Sequence, residues 1–96
     1  MEILITYDVS TETKAGRRRL RHVAKICEGY GQRVQKSVFE CQVDAPTREE
    51  LIHRLCKAIN EEEDSLRLYR LREPRDRFLT VYGLGLKYDI HEPLLL

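Results

Sequence analysis

Residues 2–9, Glu-Ile-Leu-Ile-Thr-Tyr-Asp-Val, form an apolar run rich in isoleucine with Thr and Tyr, and this predicts a buried strand. The pattern then changes. Residues 10–16 are polar turn and cap material, with Ser10, Thr11 and Thr13 all able to cap a helix. From about residue 14 the period becomes helical, with Leu20, Val23, Ala24 and Cys27 on one stripe. Gly29 and Gly31, on either side of Tyr30, are expected to end that helix. A buried strand leading directly into an amphipathic helix is the opening of an α+β fold.

The rest of the chain repeats the alternation. Residues 33–43 carry Val34, Val38, Phe39, Cys41 and Val43 and read as two short strands or one kinked strand. Thr47-Arg48-Glu49-Glu50 has the form of a capping box, and Leu51, Ile52, Leu55, Cys56 and Ile59 form the stripe of a second helix ending near Asn60. The acidic run Glu61 to Asp64 reads as a solvated connection. Residues 65–71 alternate as a strand, Pro74 interrupts, and 77–82 read as a last short strand. The order β-α-β-β-α-β plus one strand fits a ferredoxin-like sandwich, one sheet with two helices on one face. The 96 residues are expected to form a single domain, with 83–96 as a C-terminal tail whose Pro93 and three final leucines dock, on this chain or on a partner protomer. A domain this small gains from a subunit partner.

Charge narrows the function. The formal net charge is +1, yet Lys14, Arg17, Arg18, Arg19, Arg21 and Lys25 lie in a stretch without an acid. Lys14, Arg18, Arg21 and Lys25 fall at helical spacing on the side away from the apolar stripe. Such a face either tracks a phosphate backbone or is an ordinary solvated surface; the lack of any paired acid before Glu28 favours the first. Arg33 and Lys36 extend the patch. No row of aromatics interleaves these cations, which disfavours base stacking on single strands. No stretch is apolar for the length of a membrane span, and residues 1–8 lack the basic lead of a secretory signal, so a soluble, cytoplasmic protein is expected.

Asp8 stands where the first strand leaves the core. Two roles fit it: capping the following loop or helix, or holding a divalent cation. One carboxylate makes a poor Mg²⁺ site alone, but two copies on a two-fold axis bring two Asp8 carboxylates to one ion. Cys27, Cys41 and Cys56 are odd in number and lack metal-ligand spacing, which reads as reduced thiols. His22 and His53 stand isolated on helices and read as surface or boundary residues; His91, near Asp89 and Glu92, falls in the tail.

Tyr7-Asp8-Val9, the basic helix from Arg17 to Cys27, the run from Tyr30 to Cys41 with its Ser37-Val38-Phe39, and Asp64 to Leu71 occur in one order. Over about residues 2–72 the chain resembles the CRISPR-associated protein 2 family, the small subunit of the spacer-acquisition machinery. The resemblance implies a ferredoxin-like homodimer with Asp8 as its metal-binding aspartate near the dimer axis. It implies a Mg²⁺-dependent endonuclease, with Mn²⁺ an alternative ion, cutting RNA or double-stranded DNA. It also implies an adaptation integrase as partner, for which the small subunit serves as a DNA-binding bridge. Arg19 and Arg21 match the family's helix arginines, Arg33 the arginine before its second strand element, and Ser37 and Phe39 its Ser-Val-Phe motif. Tyr7, Ser37 and Phe39 then support the site, with Phe39 as core or dimer packing.

Overall fold

The computed structural model describes residues 1–83. Along these the elements run β1 (Glu2–Asp8), α1 (Lys14–Glu28), β2 (Gly31–Gln35), β3 (Val38–Gln42), α2 (Ala45–Ala58), β4 (Ser65–Leu71) and a one-turn helix α3 (Arg75–Phe78). The four strands form one antiparallel sheet in the order β2-β3-β1-β4. That order, with a helix in each of the β1–β2 and β3–β4 connections, is the expected ferredoxin-like arrangement.

Strand alternation decides what each face of the sheet carries. Ile3, Ile5 and Tyr7 of β1 and Phe39 and Cys41 of β3 are buried on one face. They join Val23, Ile26 and Cys27 of α1 and Leu51, Leu55 and Ala58 of α2 in a single core. Burial of each large side chain contributes on the order of 1.5–3 kcal/mol. Leu4, Thr6 and Asp8 occupy the opposite face, which α1 and α2 leave uncovered. The stripe of α2 is turned from the expected one: Leu51, Leu55 and Ala58 are buried, whereas Cys56 is exposed.

Local chemistry sets the element ends. Thr13 is the N-cap of α1, its hydroxyl accepting from the Gly16 amide at 3.0 Å. α1 ends at Glu28 with Gly29 as C-cap, and Gly31 belongs to β2 rather than to the helix end. A side chain at Gly31 would run into the Glu40 carbonyl and the Cys41 sulfur across the ladder, so the residue serves close strand approach. Residues 33–43 resolve into two strands, β2 and β3, around a turn at Lys36-Ser37, with an irregularity between Arg33 and Gln35. α2 starts earlier than the Thr47 box predicts. Asp44 is its N-cap, accepting from the Thr47 amide at 2.9 Å, with Pro46 in the first turn.

The expected strand over 77–82 is replaced. Residues 75–78 are helical, and 79–82 pair with no strand among the described residues. Pro74 precedes the helix and Asp76 sits in its first turn, both favourable there. Arg75 is drawn onto the sheet by an ion pair with Glu40, buried on both sides, which turns the chain before a strand can form. The tail docking expected of 83–96, and His91 with it, lies outside the described residues beyond Gly83.

Candidate active site and nucleic-acid interface

The C-terminal end of β1 gathers several elements at one end of the sheet. The β1–β4 register sets Asp8 opposite Ser65, and the β1–β3 register sets Thr6 opposite Val38, so the Lys36-Ser37 turn lies beside Tyr7 and Asp8. α1 begins six residues after Asp8, which places its N-terminus at the same end. Asp8 is exposed, and its side chain has no hydrogen bond or ion pair among the described residues. Capping, one of its two expected roles, falls to Thr13 instead. Ser65, Thr6 and Arg67 share with it the face opposite α1 and α2. Arg67, whose guanidinium donates to the Tyr69 hydroxyl at 3.1 Å, is a cation on the Asp8 face that the sequence reading missed. The alternation of residues 65–71 carries the signal: Leu66 and Leu68 turn toward the core, so Arg67 and Tyr69 turn away.

Behind the strand, on the helix side, Tyr7, Arg33, Ser37 and Phe39 come together. The Tyr7 and Phe39 rings stack with centroids 6.3 Å apart, and the Arg33 guanidinium lies 5.1 Å from the Phe39 centroid. The Tyr7 amide donates to the Ser37 carbonyl at 3.1 Å, and its hydroxyl to the Lys36 carbonyl at 3.4 Å. Burial holds the Tyr7 phenol above its ordinary pKa, against a smaller opposing pull from Arg33. Phe39 has no exposed surface and is a core residue. Burial pushes the Cys27 thiol up to about 12 and Cys41 to about 11, so both remain protonated, non-nucleophilic core groups.

The basic residues of α1 divide into two sets. Lys14, Arg18, Arg21 and Lys25 are exposed, with no hydrogen-bond or ion-pair partner among the described residues. Arg17 is also exposed and donates to the Thr11 carbonyl at 3.0 Å. Arg19 points inward. Its Nε lies 2.8 Å from Asp64 Oδ2 and its Nη2 3.2 Å from Oδ1, with Glu63 at 3.6 Å. Asp64 is therefore no part of a solvated connection. Its side chain is fully buried, and it also accepts from the Ser10 and Asn60 amides at 3.0 and 2.8 Å. The Arg19 fork, aided by these amides, holds the Asp64 carboxyl down to about 2.

The exposed stripe of α1 lies on the outer side of the helix layer, whereas Asp8 lies on the sheet face opposite α1 and α2. One protomer thus carries its cationic helix and its open carboxylate on opposite faces that share one end. Among the described residues no three His, Cys, Asp or Glu side chains gather as a metal cage. A single open carboxylate is nevertheless a donor set that Mg²⁺ accepts when waters and phosphate oxygens complete the shell. No described helix is long and apolar enough to cross a membrane.

Comparison with known proteins gives this geometry a context. The family model described as CRISPR associated protein Cas2 matches residues 1–77. A CRISPR-associated endoribonuclease Cas2 of Moorella thermoacetica is 58% identical over 96 residues, covering 100% of both chains. A CRISPR-associated endonuclease Cas2 of Halalkalibacterium halodurans is 47% identical over 95 residues, covering 99% of each. The crystal structure of Streptococcus pyogenes Cas2 superposes with a TM-score of 0.78 at 53% identity, over 86% of this chain and 100% of that one. A hypothetical protein from Thermus thermophilus superposes with a TM-score of 0.74 at 28% identity, over 92% and 96% of the two chains. Sequence over the whole length and fold over most of it agree, and the chain belongs to the CRISPR associated protein Cas2 family.

Proposed function

We propose that this protein is a dimeric, metal-dependent endonuclease of the CRISPR spacer-acquisition machinery, acting on the phosphodiester bonds of RNA or duplex DNA. The relatives named above as endoribonuclease and endonuclease support the reaction class. The observation that carries the reading is Asp8: an exposed carboxylate with no partner among the described residues, at the end of a buried strand, on the sheet face opposite α1 and α2. A second copy packed sheet to sheet on that face, where Leu4, Thr6 and Val38 are half-buried and Tyr69 is 44% exposed, would bring two Asp8 side chains toward one axis. Asp8 and its twin would then hold Mg²⁺, or Mn²⁺, with phosphate oxygens of the substrate. The ion supplies Lewis-acid polarisation of the phosphoryl group and a more acidic bound water. Arg67 stands on the same face, able to meet a phosphate oxygen and stabilise developing charge. Incubation of nuclease-free protein with labelled duplex DNA and RNA tests the reading. Asp8→Ala or excess chelator should each abolish cleavage; activity that persists through either overturns it.

A second reading is favoured by the separation of the two surfaces. The cations Lys14, Arg18, Arg21 and Lys25, unpaired among the described residues, face outward, away from Asp8, as suits a scaffold that grips duplex backbone while an integrase partner performs the chemistry. It predicts sequence-independent binding that survives Asp8→Ala and is lost on charge reversal at Arg18 and Arg21. Spacer acquisition that tolerates Asp8→Ala but not the double reversal selects this reading over the first.

A further inference from the structure

The residues after Asp8 are held from three directions. The Ser10 amide donates to Asp64 Oδ1 at 3.0 Å. Gly16, in the first turn of α1, lies so close that any side chain there would overlap the Ser10 carbonyl. The residue next to Asp64, Ser65, is the β4 partner of Asp8 itself. The Asp64 carboxylate accepts four hydrogen bonds: two from Arg19 on α1, one from Ser10 after β1, and one from the Asn60 amide after α2. Every one of these partners belongs to a different segment meeting at the Asp8 end of the sheet, and the Asp64 side chain is fully buried.

We infer that Asp64, with Arg19 and the side-chain-free surface of Gly16, is a positioning unit that fixes the Asp8 carboxylate for metal and phosphate. The inference rests on the nuclease reading of Asp8 given above. Its physical basis is preorganisation. Among the described residues Asp8 has no partner to orient it, so its placement depends on the backbone on either side, and that backbone is anchored through Ser10 and Ser65. Arg19 accordingly acts through Asp64 rather than on a phosphate, unlike its neighbours Arg18 and Arg21. A displacement of about 1 Å in a reacting group, caused from a distance, can cost on the order of 100-fold in rate.

The test compares wild type, Asp64→Asn, Arg19→Lys and Asp8→Ala at a temperature where circular dichroism shows all four folded. Three quantities are read: kcat and KM for duplex cleavage, Mn²⁺ affinity by electron paramagnetic resonance, and amide exchange at Ser10 and Ile5. For Asp64→Asn the expectation is a kcat lowered at least about tenfold with KM within about twofold. Mn²⁺ affinity should weaken in parallel, and exchange should speed up at Ser10 but not at Ile5. If Asp64→Asn does not fold, Arg19→Lys carries the same expectation, since it keeps the charge and loses the two-pronged fork. Wild-type kcat and Mn²⁺ affinity in a variant whose Ser10 amide has loosened overturn the positioning role. An inactive Asp8→Ala beside such a variant confines that failure to Asp64 and Arg19. An Asp8→Ala protein as active as wild type removes the nuclease reading itself, and the positioning role with it.

Discussion

At the scale of single residues, burial and partners separate side chains that the sequence presents alike. Phe39 and Asp8 lie in neighbouring strands, yet Phe39 has no exposed surface and Asp8 has no partner among the described residues. Phe39→Ala should therefore cost about 3–5 kcal/mol in chemical denaturation. Asp8→Ala should leave stability within about 0.5 kcal/mol of wild type, because Asp8 is exposed and no described residue pairs with it. Arg18 and Arg19 are adjacent and chemically identical, but one faces water and the other a buried carboxylate. Asp64 makes that difference measurable with pH. Its folded carboxyl titrates near 2, below the ordinary value of 3.8. A lowered carboxyl contributes stability that is in place above the unfolded value and is lost as pH falls through the folded one. Stability should thus drop by about 1–2 kcal/mol from this group between about pH 4 and pH 2, after allowance for screening near the surface. An Asp64→Asn protein, less stable at neutral pH, should show a correspondingly shallower acid limb in denaturant melts. The inward turn of Arg19 was not legible in the sequence, because helical spacing assigns it a side of α1 but says nothing of a carboxylate forty-five positions away.

At the scale of elements, periodicity carried most of the information. The apolar run of β1, the alternation of β4 and the stripe of α1 read correctly because each buries one face against a neighbour, and burial enforces the period. Misreadings cluster where two local signals compete. Thr47 with Glu50 makes a plausible cap, but Asp44 three residues earlier, with Pro46 behind it, captures the helix start. Residues 77–82 have strand composition, yet strand structure requires a neighbouring edge, and the Arg75–Glu40 pair turns the chain into α3 first. The outer face of α1 is the element on which nucleic-acid affinity should depend. Removing both Arg18 and Arg21 side chains with alanine should reduce the slope of log affinity against log salt by about 2, with little loss of stability. Arg19→Ala should do the reverse, lowering the melting temperature while leaving the salt slope nearly unchanged. Fluorescence anisotropy of a labelled duplex across a salt series separates the two; equal slopes for the Arg18/Arg21 variant and wild type would remove α1 from the interface.

At the scale of the whole molecule, the sheet has one face filled by α1 and α2 and an opposite face that carries Asp8, Arg67 and Tyr69. Under the proposed nuclease reading the site has a two-fold form, complete only when a second protomer supplies its own Asp8. Subunit mixing tests this most directly. Wild-type and Asp8→Ala chains are unfolded together, refolded at equal amounts so that dimers form at random, and assayed for duplex cleavage at saturating Mg²⁺. If both carboxylates are required, only dimers with two intact chains are active, and the rate falls to about a quarter of the wild-type value at equal total protein. A rate near one half, tracking the wild-type fraction linearly, would mean that each Asp8 works alone and would contradict the shared site.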